Sequence, residues 1–153
     1  MKQLLKSVSI AACVLAFQVP GWAAESRGTA AEATALVQRA AEYLKANGPA
    51  KAYAAFNDPA GQFKDRDLYV FVMDLNGKML SHGANPKLIG KDLTNLKDSD
   101  DKLFIKTMLD IAKTKGKGWV DYKWPNPVSK AIEPKSTYVE KTDDLVVGCG
   151  IYK

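Results

Sequence analysis

The sequence predicts an α+β domain built on a five-stranded, mostly antiparallel sheet. Three observations carry this. A long amphipathic segment opens the mature chain, two short hydrophobic runs flank an Asn-Gly turn, and three β-rich runs close the chain without an intervening helical period. The 153 residues suffice for one core, and 46% hydrophobic with 25% charged residues is ordinary for a soluble globular protein.

Residues 1–23 are set apart from that domain. Lys2 and Lys6 precede an apolar run from Val8 to Val19, Pro20 breaks it, and Gly21-Trp22-Ala23 supplies small residues where a signal peptidase cuts. Cleavage is expected after Ala23, with Ala24 next, leaving residues 24–153 as one domain. A rival lies in Ile10-Ala11-Ala12-Cys13, which has the form of a lipidation box, but the apolar stretch before Cys13 is very short. Taking Lys2 and Lys6 from 22 basic residues leaves 20 against 17 acidic, a net charge of +3. The lysines are scattered, so no nucleic-acid or membrane footprint is expected.

The mature chain keeps one cysteine, Cys149, which cannot bridge within the chain and is expected to be a small buried strand residue. With one histidine and no CxxC or CxxCH motif, neither covalent haem nor structural zinc is expected, and no cofactor is assigned.

Residues 25–47 are predicted as the first helix: Ala33, Leu36, Val37, Ala40 and Leu44 share one face. Asn47-Gly48-Pro49 stops it, and Pro49 opens a shorter helix through Phe56. Asp58-Pro59-Ala60-Gly61 turns the chain into a strand, Leu68–Met73, apolar on both faces and therefore covered on both sides. Asn76-Gly77 is a hairpin turn, and residues 78–82 return. A loop, residues 83–97, leads to a helix capped by Asp98 or Ser99, lined by Leu103, Phe104, Met108, Ile111 and Ala112, and ended by Gly116. Strands follow at about 119–124, 135–141 and 145–152, the last two joined at Thr142-Asp143-Asp144.

Strand alternation sorts the side chains. Val120, Tyr122 and Trp124 share a face; Lys135, Thr137 and Val139 alternate with Ser136 and Tyr138; Gly148 and Gly150 lie opposite Val147, Cys149 and Ile151. Two glycines two apart clear a patch of sheet for a helix or a ligand. The aromatics, with Pro125, Pro127 and Pro134 stiffening the connection, form either the rim of a small-anion pocket or a blunted sheet edge. Tyr69, Phe71 and Met108 are expected in the core, and His82 caps a strand end or donates to an anion.

"YVFVMDLNGKMLSHGANPKLIGKDL", a following helix, then "GKGWVDYKWPNP", "EPKSTYV" and "LVVGCGIYK" resemble the single Cache domain, type 2, a PAS-like extracytoplasmic sensor module. The likeness covers residues 68–153, and the first helix fits the family's N-terminal helix. It implies a PAS-like five-stranded antiparallel sheet with covering helices and a pocket for a small carboxylate of the acetate, propionate, pyruvate or lactate type. Separately, one histidine with no partner motif leaves no nucleophile–base or acid–base pair, so no enzymatic activity is expected. Carried over by position, His82, Tyr122, Trp124, Lys135 and Tyr138 are the ligand-binding candidates. Lys135 would neutralise the carboxylate, Tyr138 and His82 would hydrogen-bond it, and Tyr122 and Trp124 would wall the apolar end. Where the family often follows the histidine with proline, this chain has Gly83.

The expected protein is thus a freestanding periplasmic domain signalling to a membrane sensor kinase or chemoreceptor. The alternative is an accessory interaction module with a vestigial pocket. Whether the first helices pair two copies into a homodimer is left open by the residues.

Overall fold

The computed structural model describes residues 27–153. The expected signal segment, its cleavage point and the Cys13 box lie outside them. The first helix, α1 (Ala30–Asn57), begins at a capping box: the Thr29 hydroxyl accepts from the Glu32 amide, and the Glu32 carboxylate accepts from the Thr29 amide. This box places the start five residues later than apolar spacing suggested. The predicted stop is real as a break rather than an end. Gly48 adopts φ 76°, ψ 166°, and Pro49 restarts the helix along a new direction.

Beyond α1 come β1 (Lys64–Asp65), β2 (Leu68–Tyr69), β3 (Phe71–Asp74) and β4 (Met79–His82), then α2 (Phe104–Lys115), β5 (Lys117–Pro125), β6 (Ile132–Thr142) and β7 (Leu145–Tyr152). The main sheet has the order β4-β3-β7-β6-β5, antiparallel throughout, which is the PAS-like α+β architecture the sequence predicts. The predicted strand 68–73 is divided. Its first two residues pair with β1 in a separate ribbon, and the rest enters the main sheet. Gly83 explains part of the seam: its amide donates to the Val70 carbonyl at 2.9 Å, and a side chain there would meet the Phe56 carbonyl. Proline would lose the amide bond and press its ring on that carbonyl.

The expected cap of α2 is also corrected. Leu103 precedes the helix with no side-chain cap. Asp98 instead folds the loop on itself, accepting from the Asp100 and Lys102 amides at 2.9 Å each, while its other oxygen takes the Lys123 amide of edge strand β5, also at 2.9 Å. Its carboxylate is used up in pinning the loop to the sheet.

Two cores result. On one face α1 covers Leu68, Val70, Val72, Val147 and the buried Cys149, with Phe56 and Phe63 edge to face at 4.6 Å. On the other face α2 and residues 83–97 cover Phe71, Met73, Val120, Tyr122 and Val139. The gap left by Gly148 and Gly150 admits neither helix nor solvent. A Cβ at Gly148 would lie 2.2 Å from the Phe71 ring, and one at Gly150 would lie 2.5 Å from Lys135 Cε. The glycines make room for the chain's own Phe71 and Lys135.

Candidate ligand site

The β5–β6–β7 register sets Tyr122, Lys135 and Tyr152 side by side in one row across the sheet. With Gly150 bare, the Lys135 stem lies flat and its Nζ ends among rings: 2.6 Å from the Tyr69 hydroxyl, 3.2 Å from that of Tyr152, and 4.1 and 4.5 Å from their ring centroids. Both hydroxyls accept from the amine, and the Tyr152 hydroxyl donates onward to the Pro125 carbonyl at 2.8 Å. Lys135 is 1% exposed. Burial brings its pKa down from 10.5 to about 7. Among the described residues no carboxylate lies within ion-pair distance of it.

His82, buried at the end of β4, is a neutral donor. Its Nδ1 accepts from the Ala84 and Asn85 amides at 3.3 and 2.9 Å, which places the ring proton on Nε2. Burial, and then the nearby Lys135 charge, hold its pKa down to about 3. The ring lies between Tyr69, 5.0 Å away, and Phe71, 6.3 Å away and stacked. Its strand end is fixed from α1: the His82 amide and the Ser81 hydroxyl both donate to Asn57 Oδ1.

Tyr122 stacks on Phe104 of α2, with centroids 4.2 Å apart and planes 3° from parallel, and its hydroxyl lies 3.0 Å from that of Thr137. Trp124 packs on the same Phe104 at 5.4 Å. Above these groups lies a small cavity of ≈ 20 Å³. Tyr69, His82, Tyr122 and Trp124 give it polar edges. Leu88, Leu93 and Leu96 from the loop and Phe104, Ile105 and Met108 from α2 make the remaining wall with Phe71 and Met79. A volume of that size suits one water.

The structure brings together four of the five residues singled out in the sequence. His82, Tyr122 and Trp124 line the cavity, and Lys135 sits against its lining residue Tyr69. Tyr138 is the exception. It projects from the opposite face of β6 into the α1-side core, 5.4 Å from the Trp119 ring, and its hydroxyl donates to Glu140. Residues 135 and 138 are three apart on a strand, so alternation alone puts them on opposite faces. Three residues lie beyond what the sequence shows: Tyr152, which shares the Gly148/Gly150 face but needs the register to meet Lys135, and Tyr69 and Phe71, whose apolar strand context predicts only a core position. Both are buried, and both line the cavity.

A long N-terminal helix, a PAS-like sheet and a small cavity over one sheet face define the sensor-module class of α+β domains. The chain belongs to the single Cache domain 2 family, whose match spans residues 23–153. Cache domains are extracytoplasmic sensor modules rather than enzymes. The chain is 34% identical over 90 residues to the methyl-accepting chemotaxis protein McpP of Pseudomonas putida, covering 58% of this chain and 16% of that one. It is 33% identical over 89 residues to the sensor histidine kinase MctS of Rhizobium johnstonii, covering 57% and 19%. The matched segment is thus less than a fifth of either relative. A solved Cache chemosensory domain, described for its carboxylic acid recognition, superposes with a TM-score of 0.68 at 28% identity over 80% of this chain and 91% of that one.

Proposed function

We propose that this chain is a periplasmic sensor domain that binds a small carboxylate at Lys135 and passes the bound state to a membrane partner. The observation that carries the proposal is a buried ammonium whose hydrogen bonds go only to tyrosine hydroxyls, with no carboxylate in ion-pair contact among the described residues and Asp67 acting on it only at longer range. Such a charge is costly to bury unpaired, and a ligand carboxylate would supply the missing partner. Two of the three ammonium donors are engaged, leaving one for the ligand. His82 Nε2–H offers a second donor, while Tyr122 and Trp124 exclude water beside an apolar wall suited to a methyl or ethyl group. Charge-assisted bonds contribute about 1.5–3 kcal/mol each, so these two donors together supply about 3–6 kcal/mol, the scale of millimolar to tens-of-micromolar binding. Admitting even acetate requires the leucines of loop 83–97 or Met108 to give way, which favours the smallest acids. Likeness to a carboxylic-acid-recognising Cache domain, a chemoreceptor and a sensor kinase supports both the ligand class and the kind of partner. Secretion by cleavage after Ala23 or Ala24 belongs to the same proposal and is checked by sequencing the N-terminus of the exported protein.

Calorimetric titration of the mature chain with acetate, propionate, pyruvate and lactate tests the ligand class. Saturable heat with at least one acid is expected, and silence with all four would remove the carboxylate. The narrowness of the cavity favours one second reading, an interaction module whose pocket stays shut. That reading predicts binding to a sensor kinase or chemoreceptor with no acid response.

A further inference from the structure

The segment that leads into α1 is clipped by two pieces of chain, and each also carries one of the tyrosines that hold Lys135. From the turn between β1 and β2, Asp67 Oδ1 accepts from the Gly28 amide at 2.8 Å. In the same turn Arg66 donates to the Arg27 carbonyl at 3.1 Å and pairs at 2.7 Å with Glu32, the carboxylate of the α1 capping box. Gly28 is pressed so closely on Leu68 that a Cβ would lie 2.3 Å from its Cγ. From the other side, the Arg27 guanidinium donates to the Lys153 carbonyl at 2.8 Å and pairs with Glu133 of β6 at 3.0 Å. Tyr69 is two residues beyond Asp67, and Tyr152 is one residue before Lys153.

We propose that occupancy of the anion site tightens this clasp, so that the start of α1 and the end of β7 report the ligand together. The inference rests on the carboxylate proposal above. A carboxylate on the free donor of Lys135 keeps the amine charged, and its bonds to both tyrosine hydroxyls are then charge-assisted. Holding Tyr69 and Tyr152 on one lasting cation steadies the β1–β2 ribbon and the last residues of β7, which are the two jaws on Arg27 and Gly28. Coupling of this kind requires that the looser and the tighter clasp bind the ligand with different affinity.

Amide hydrogen exchange read by mass spectrometry, with and without saturating acetate, tests the link. Alongside it, calorimetry with acetate, propionate, pyruvate and lactate establishes occupancy; if another of these acids gives the heat, it replaces acetate in the exchange. The expected result is slowing of about fivefold or more for amides in residues 28–36 and 145–153. In Arg66→Ala and Asp67→Ala the slowing at 28–36 should vanish while binding heat persists. Arg66 is partly exposed, so its variant serves should Asp67→Ala fail to fold. Binding heat without slower exchange at 28–36, or slowing that survives in Arg66→Ala, overturns the clasp and leaves carboxylate binding standing. Absence of heat with all four acids overturns both.

Discussion

The two faces of the sheet share every strand and do opposite work. On the α1 face, Val70, Val72, Val147 and Cys149 meet Leu36, Val37, Ala40 and Phe56, and hydrocarbon fills the space. On the α2 face the alternate residues of the same strands carry an ammonium, an imidazole, a threonine and several tyrosine hydroxyls around a gap. Period-two alternation lets one face hold the fold while the other tolerates an energetically expensive site. Stability and ligand chemistry should therefore separate by face.

The largest expected effect is on the α1 face. Phe56→Ala empties a ring packed against Phe63 and Tyr43 and should cost about 3–5 kcal/mol in chemical denaturation, with acid affinity unchanged in whatever fraction stays folded. An affinity loss exceeding the unfolded fraction would break the separation.

Next comes Lys135→Met, of similar length without the charge. It should abolish carboxylate binding yet raise the thermal midpoint at pH 6, because an unpaired buried ammonium is removed from a cage that suits an apolar stem. A lower midpoint would mean that Lys135 serves the fold rather than a ligand.

The third effect is graded in pH. Lys135 titrates near 10.5 unfolded and at about 7 folded, so the unfolded chain binds more protons between these values. Stability should accordingly rise from pH 7 towards 10.5, and lysine burial is most costly below 7. Ligand affinity runs the other way. A carboxylate needs the charged amine, so binding takes up a proton above pH 7, and affinity should fall by up to about tenfold per unit. His82, at about 3, stays neutral throughout and adds no slope. Titrations in buffers of different ionisation enthalpy measure the proton uptake directly; none would refute the role of the amine.

The smallest effect distinguishes the two faces most sharply. Tyr138→Phe loses one hydroxyl bond to Glu140 on the α1 face and should change stability by about 0.5–1.5 kcal/mol with no effect on acid affinity. Loss of affinity would return Tyr138 to the site.

The elements were largely legible because their signals are local. Gly48-Pro49 breaks α1, Asn76-Gly77 turns β3 into β4, and Gly116 ends α2 with φ 77°. What was illegible depended on partners distant in sequence. Asp98 has the chemistry of a helix cap, but the Lys123 amide, 25 residues on, competes for it. Tyr152 meets Lys135 only through a register no spacing reveals. The Gly148/Gly150 spacing announces a close approach, yet nothing local says that the group approaching Gly150 is the chain's own lysine. Tyr138 is different: strand alternation placed it on the far side, and only the family motif drew it to the pocket.

Cys149 has a practical consequence. Its sulfur is sealed beneath α1, and burial pushes its thiol up to about 12, so almost no thiolate exists at neutral pH. Exchange with glutathione or with a neighbouring molecule proceeds through thiolate and needs access, and the folded domain offers neither. Material folded in a reducing cytosol and material folded in an oxidising compartment should be chemically identical across residues 27–153, with no reductant needed on the bench.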